Sequence, residues 1–145
     1  VWSAPKAEAF LIEQKTGVFP LLVSSVADYQ RVFEMAMSDP PFVPAPMLAV
    51  MAQPSIANRA LEAIIFKQVN NDPIEERAKT ITAPTLIVWG TEDRLLSPKA
   101  GDILHGLIPN SQLILMQGIG HLPMLESVKQ TADDYLTFRA GIKAT

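Results

Sequence analysis

Two polar side chains of this sequence stand where they could move a proton. Asp93 lies in GTEDRLL (90–96), directly after the apolar run TLIVW (85–89), and His121 lies in GIGHLPMLE (118–126), shortly after the run QLILM (112–116). They are 28 positions apart, a separation that fits one helix and one strand. If the two runs are neighbouring parallel strands, both loops open at the carboxyl ends, the rim where open parallel sheets bind ligands. A carboxylate beside an imidazole fixes its tautomer and stabilises the imidazolium, which makes the histidine a general base. Taken singly, an Asp after a strand reads as a turn or helix cap, and a His near Gly as a loop residue. Their joint placement, each past a strand end and in this order, favours chemistry. Glu92 is an alternative acid. A general base needs a group to act on, yet no serine stands in an obvious nucleophile motif and cysteine is absent.

The elements that would carry these loops are legible from pattern. TLIVW is a continuous β-branched run between Pro84 and Gly90, as in a parallel strand buried on both faces. SPKAGDILHGLI (97–108) reads as a helix with Ser97 as N-cap, Pro98 at N1, and Ile103, Leu104, Leu107 and Ile108 on its core side. His105 falls opposite that stripe, on the solvent side. QLILM is the second strand. SVKQTADDYLTFRA (127–140) reads as a closing helix with Val128, Ala132, Tyr135 and Leu136 as its apolar positions, Asp133 and Asp134 in solvent, and a stop at Gly141. The order β-α-β-α predicts a right-handed parallel crossover. Upstream, SVADYQRVFEMAM (25–37) predicts a helix capped by Ser25, and the prolines of DPPFVPAP (39–46) predict a rigid extended turn. A further helix is expected over about 55–69, and Asp72-Pro73-Ile74-Glu75 has the form of a short helix start. Two apolar strands alone would leave unpaired edges, so the implied architecture is larger than the chain.

Composition narrows the partners. The chain has 145 residues, 48% of them hydrophobic and 19% charged, enough apolar matter for a core. A net charge of −3 without a basic run argues against nucleic acid. Neither a disulfide framework nor thiolate chemistry is available, and the two histidines, His105 and His121, lack metal-ligand spacing. No apolar run approaches the length of about 18 residues needed to cross a bilayer. The start, VWSAPKAEAF, shows neither an initiator Met nor a signal peptide and reads as a chain entered part-way. Localisation, cytoplasmic or envelope and secreted, is left open.

The runs ITAPTLIVWGTEDRLLSP and IPNSQLILMQGIGHLPMLE together resemble the C-terminal end of α/β-hydrolase fold enzymes, in which a strand leads to G-x-x-D and the next to G-H-x-P-x-x-E. The resemblance covers Ile81 to Phe138, and residues 1–80 resemble the helical lid that bacterial esterases and lipases insert before this strand. It implies an α/β fold: a C-terminal α/β segment (81–145) with two parallel strands, preceded by a helical lid (1–80), the N-terminal half of the fold lying outside the chain. Asp93 would be the triad acid and His121 the base, and the G-x-S-x-G nucleophile, the oxyanion-hole segment and the first six strands would lie elsewhere. Met47 and Met51 of the lid, with Leu95 and Leu122 beside the two site residues, are candidates to line an acyl pocket. The implied activity is hydrolysis of small carboxylic esters without metal or organic cofactor. Alternatives within the fold are C–C bond hydrolysis, epoxide hydrolysis or dehalogenation. Outside catalysis, the chain could be a ligand-binding or complementation fragment. Its expected partner is the missing half or another copy of itself, and the lid's charge pattern does not favour a membrane interface. The chain alone is expected to show no turnover.

Overall fold

Two short strands define the molecule's frame. In the computed structural model, which describes residues 3–70 and 74–142, β1 (Thr85–Gly90) and β2 (Ser111–Met116) pair in parallel, from Thr85 opposite Ser111 to Gly90 opposite Met116. Helix α5 (Lys99–Leu107) makes the crossover between them. It packs over Ile87, Trp89 and Leu113, and with Ile108 and Ala78 it forms one apolar cluster. The alternate face of the strands meets α7 (Val128–Gly141), where the Thr131 hydroxyl lies 3.9 Å from the sulfur of fully buried Met116.

The first part of the chain is helical: α1 (Glu8–Thr16), α2 (Val26–Ala36) and α3 (Ala45–Asn70). Helix α2 begins as expected, with the Ser25 hydroxyl accepting from the Asp28 amide at 3.1 Å. Helix α1 carries no strong sequence signal except its end. There, Gly17 takes φ +71°, and its N–H reaches the Glu13 carbonyl at 2.8 Å. Phe19, just beyond, stacks edge-on against Phe66 of α3 at 5.0 Å and lies 5.9 Å from Phe10 of α1. The parts join in a second apolar cluster, where Ala9, Met35 and Ala36 close on Leu95 with Ile12, Leu21 and Leu122 packed around them.

Several expectations require correction. The proline-rich segment does not stay extended to residue 46, because α3 starts at Ala45 and spans 26 residues, about 39 Å at 1.5 Å per residue. Pro46 sits in the first turn, where no intrahelical N–H is needed, and the Pro44 carbonyl accepts from Met47 and Leu48. Pro54 lies inside α3 and removes the hydrogen bond to the Val50 carbonyl, a break of about 3 kcal/mol that surrounding packing must offset. Helix α5 begins one residue late. Pro98 itself is its cap, and Ser97 contributes its backbone carbonyl rather than its hydroxyl.

The closing helix does not bury its apolar stripe within the chain. Val128, Tyr135 and Leu136 are 62%, 52% and 60% exposed, and the half-buried face is Thr131, Asp134 and Phe138. Asp134 is half-buried rather than fully in solvent, and its Oδ2 is buried with no hydrogen-bond partner. Gly141 is the last helical residue rather than a stop. All six residues of β1 are buried or half-buried, whereas Gln112 and Leu115 of β2 are exposed. A two-stranded sheet leaves each strand an open edge. The short helix start was placed in part on Asp72 and Pro73, which lie outside the described residues, while α4 (Glu75–Ala78) follows at once.

Replacing Ser25 by Ala is expected to lower the unfolding free energy by about 1 kcal/mol, with Ser25→Asp close to wild type. Urea midpoints read both, and an unchanged midpoint in Ser25→Ala would remove the cap from the account of α2.

Candidate active site

Asp93 uses its two carboxylate oxygens differently. Oδ1 accepts the backbone N–H groups of Leu95 and Leu96, each at 2.9 Å, which closes the turn after β1. Oδ2 faces Nδ1 of His121 at 2.9 Å. The turn-forming and the chemical readings of this aspartate are thus both satisfied by one side chain. Its side chain is 3% exposed, against 34% for that of His121, so the pair is shielded on the acid side and open on the base side.

The histidine is delivered by a crossing of two loops. Gly118 takes φ +72° and donates its N–H to the Thr91 hydroxyl at 3.0 Å, and the Glu92 amide reaches the Ile119 carbonyl at 2.9 Å. A Cβ on Gly90 would stand 2.1 Å from the Gly120 carbonyl oxygen and 2.2 Å from that of Ile119. Only glycine at the end of β1 lets the histidine loop come this close. The His121 amide donates to the Ala36 carbonyl at the end of α2, at 2.8 Å.

With Nδ1 held by Asp93, Nε2 is the nitrogen left to exchange a proton, and the ring lines a recess of about 120 Å³. Val88, Trp89, Gly90, Asp93, Leu96 and Pro123 supply the other walls. The hydrogen bond that the ring donates to Asp93 raises the imidazole pKa. Burial opposes it, and the negative charges of Asp93 and Glu126 reinforce it. A larger hollow of about 240 Å³ at the opposite strand ends, lined by Pro84, Asn110, Gln112 and Phe138, carries no ionisable side chain.

The remaining candidates fall elsewhere. Glu92 is exposed and joins the site through its backbone alone, while Asp93 carries the contact to His121. Leu95 and Leu122 belong to the apolar cluster under the loops, and Leu96 is the leucine beside the recess. Met47 and Met51 are exposed on α3 and do not line the recess. His105 is exposed, with Nδ1 2.9 Å from the Ser111 hydroxyl. Two partnerships were not anticipated. Arg94 grips Glu8 of α1 with two nitrogens, at 2.7 and 2.8 Å, and Glu126 gathers donors from the histidine loop and from Ser38. Only Glu126 had a sequence signal, as the last letter of G-H-x-P-x-x-E. Among the described residues no cluster of three His, Cys, Asp or Glu side chains could hold a metal ion, and no helix is long and apolar enough to cross a membrane.

Comparison with known proteins agrees with this layout. The profile of the alpha/beta hydrolase fold family matches residues 29–128. The chain belongs to that family. It is 41% identical to Lipase 3 of Moraxella sp. (strain TA144), over 98% of this chain and 46% of that protein. It is 39% identical to Lipase 1 of Psychrobacter immobilis, over 99% of this chain and 46% of that protein. A crystal structure of a membrane phospholipase A, described as a bacterial virulence factor, superposes with a TM-score of 0.86 at 31% identity, covering 95% of this chain and 45% of that one. The chain therefore spans slightly less than half the length of these relatives. Two parallel strands with their helices fit the C-terminal portion of such a sheet.

Two expectations follow from this geometry. A pKa raised above the ordinary value of about 6.5 means that the pair contributes its full stability below that pH and loses it as pH rises through the folded-state pKa. Nitrogen-15 NMR titration should find His121 above the ordinary value and Asp93→Asn lowering it, and a wild-type titration in Asp93→Asn would contradict the pairing. Gly90→Ala should cost about 3 kcal/mol in urea unfolding, because both clashing atoms are backbone. A cost near zero would show that the loops can separate freely.

Proposed function

We propose that this chain supplies the acid and base of a serine-type carboxylic ester hydrolase. The observation that carries the reading is the Asp93 Oδ2 to His121 Nδ1 contact at 2.9 Å, with the imidazole lining an open recess. Identity of 41% and 39% to two bacterial lipases supports esters as the substrate class.

The chemistry follows from the two nitrogens. In the neutral imidazole with Nδ1–H donating to Asp93, Nε2 carries the free lone pair and takes the proton from a serine hydroxyl as its oxygen attacks the ester carbonyl. The imidazolium so formed is stabilised by Asp93 and returns the proton to the departing alcohol, leaving an acyl-enzyme. Water repeats the sequence, giving up a proton to Nε2 and releasing the acid. The serine and the oxyanion donors would come from the part of the hydrolase fold beyond this chain. That part would also cover the open strand faces and the outward stripe of α7.

Residues 1–80 are proposed as the lid and 81–145 as the catalytic segment. Met47 and Met51, exposed on α3, are proposed to meet the acyl chain from the lid side, since flexible thioethers adapt to varied apolar shapes.

In the full-length protein, His121→Ala should abolish hydrolysis of a short p-nitrophenyl ester. Asp93→Asn should lower kcat by about 10⁴-fold, the effect of the equivalent change in a serine protease. Near-normal rates in both variants would refute the assignment. The 145-residue chain by itself is expected to give no turnover above buffer.

A further inference from the structure

The motif that carries His121 ends on Glu126, a carboxylate to which proton transfer through Asp93 and His121 gives no task. Its surroundings are specific. Oε1 accepts the Gly120 amide at 2.9 Å and the Leu122 amide at 3.4 Å, the two peptide N–H groups on either side of His121. Oε2 accepts the Ser38 amide at 2.7 Å and faces the Ser38 hydroxyl at 2.8 Å. That hydroxyl has one proton to share between Glu126 and the nearby Gly118 carbonyl. Ser38 is 88 positions away in sequence, two residues past the end of α2. The amide of His121 itself is held by the Ala36 carbonyl. Three consecutive amides centred on the histidine are therefore fixed, the outer two by Glu126 and the middle one by the last residue of α2.

The fit leaves no slack. A Cβ on Gly120 would lie 2.8 Å from the Ser38 nitrogen and 2.9 Å from Glu126 Oε1. Burial pushes the Glu126 carboxyl toward neutrality, but the amides of Ser38 and Gly120 and the Ser38 hydroxyl outweigh it and hold its pKa below the ordinary value. It is thus a fixed negative charge at neutral pH. The charges acting on the imidazole are Asp93 from the loop after β1 and Glu126 from α6 (Pro123–Glu126). The end of α2 that packs there, Met35 to Met37, is apolar.

We propose that Glu126 is the positioning residue of the proposed general base, and that through Ser38 it fastens the histidine loop to the end of α2. The lid is then part of the mounting of the base, not only a cover over the substrate. This inference rests on the ester-hydrolase reading above.

The test uses the full-length protein and measures kcat, KM and the acid limb of kcat/KM against pH. Glu126→Gln removes the charge and one good acceptor. It should lower kcat by about 10- to 100-fold with KM nearly unchanged, the scale of a base misplaced by about an ångström. The midpoint of the acid limb should move to lower pH, because the imidazolium loses a stabilising charge. Glu126→Asp should restore the midpoint and only part of kcat. Ser38→Ala, on the surface, should lower kcat several-fold at unchanged KM and midpoint. The midpoint is read only from molecules that turn over, so partial unfolding cannot imitate its shift. A stability loss with unmoved kcat and midpoint in Glu126→Gln overturns the proposal. If that variant does not fold, wild-type kcat in Ser38→Ala overturns it instead. Retained hydrolysis in His121→Ala would instead condemn the catalytic reading, which separates the two failures.

Discussion

A carboxylate and an imidazole 28 residues apart meet here because two strands end level. The register runs from Thr85–Ser111 to Gly90–Met116, so the loops after β1 and β2 leave from the same height. From there the two chains interlock through backbone groups: Thr91 N–H to the Met116 carbonyl at 3.0 Å, and Glu92 N–H to the Ile119 carbonyl at 2.9 Å. A side chain at the end of β1 would wedge them apart, which is why Gly90 governs the site without touching the chemistry. A shift of register by one residue would separate the loops and turn the side chains of the moved strand to the opposite face. The pairing of Asp93 and His121 is therefore a consequence of strand geometry more than of loop sequence.

Each loop is also braced from the helical part of the chain, and the two braces differ in kind. On the acid side, the bidentate Arg94–Glu8 pair is well aligned, but its side chains are 47% and 44% exposed. Such a pair is worth at most about 1 kcal/mol in water. The stronger hold there is the apolar contact of Leu95 with Ala9, Met35 and Ala36. Burying one leucine contributes about 2 kcal/mol before any cavity term is counted. On the base side the hold is polar, made of amides converging on Glu126 and on the Ala36 carbonyl. Apolar packing thus fixes where the helices sit, and hydrogen bonds fix how the imidazole loop is oriented.

The sequence made the site more legible than the fold around it. Both strands, the spacing of Asp93 and His121, and the Ser25 cap are local patterns, and local patterns survive tertiary context. Helix α3 was misread because proline is a breaker only where an N–H is needed. Pro46 falls in a first turn, and α3 runs on through Pro54 despite the missing N–H. The apolar stripe of α7 marks a face that seeks burial, not the face buried within this chain. Val128, Tyr135 and Leu136 turn away from the two strands, and the polar Thr131 turns inward to meet Met116. Helix α1 has too few apolar positions at helical spacing to announce itself before Gly17 ends it. The Ser38–Glu126 contact spans 88 residues and had no local trace beyond a single acidic letter.

These differences have a common physical origin. Elements that need only their neighbours, such as α2 and α5, are complete within the chain. Elements whose apolar surface exceeds what the chain can cover leave that surface outside, as on α7, along α3 and at Leu115. The chain spans less than half the length of its lipase relatives. The Asp93–His121 pair escapes that dependence. Its hydrogen bond, the turn at Asp93 and the amides around His121 all close on residues between Glu8 and Glu126. On the proposed function, the remainder of the fold would then have to bring only a nucleophile and an oxyanion site to a base that is already oriented.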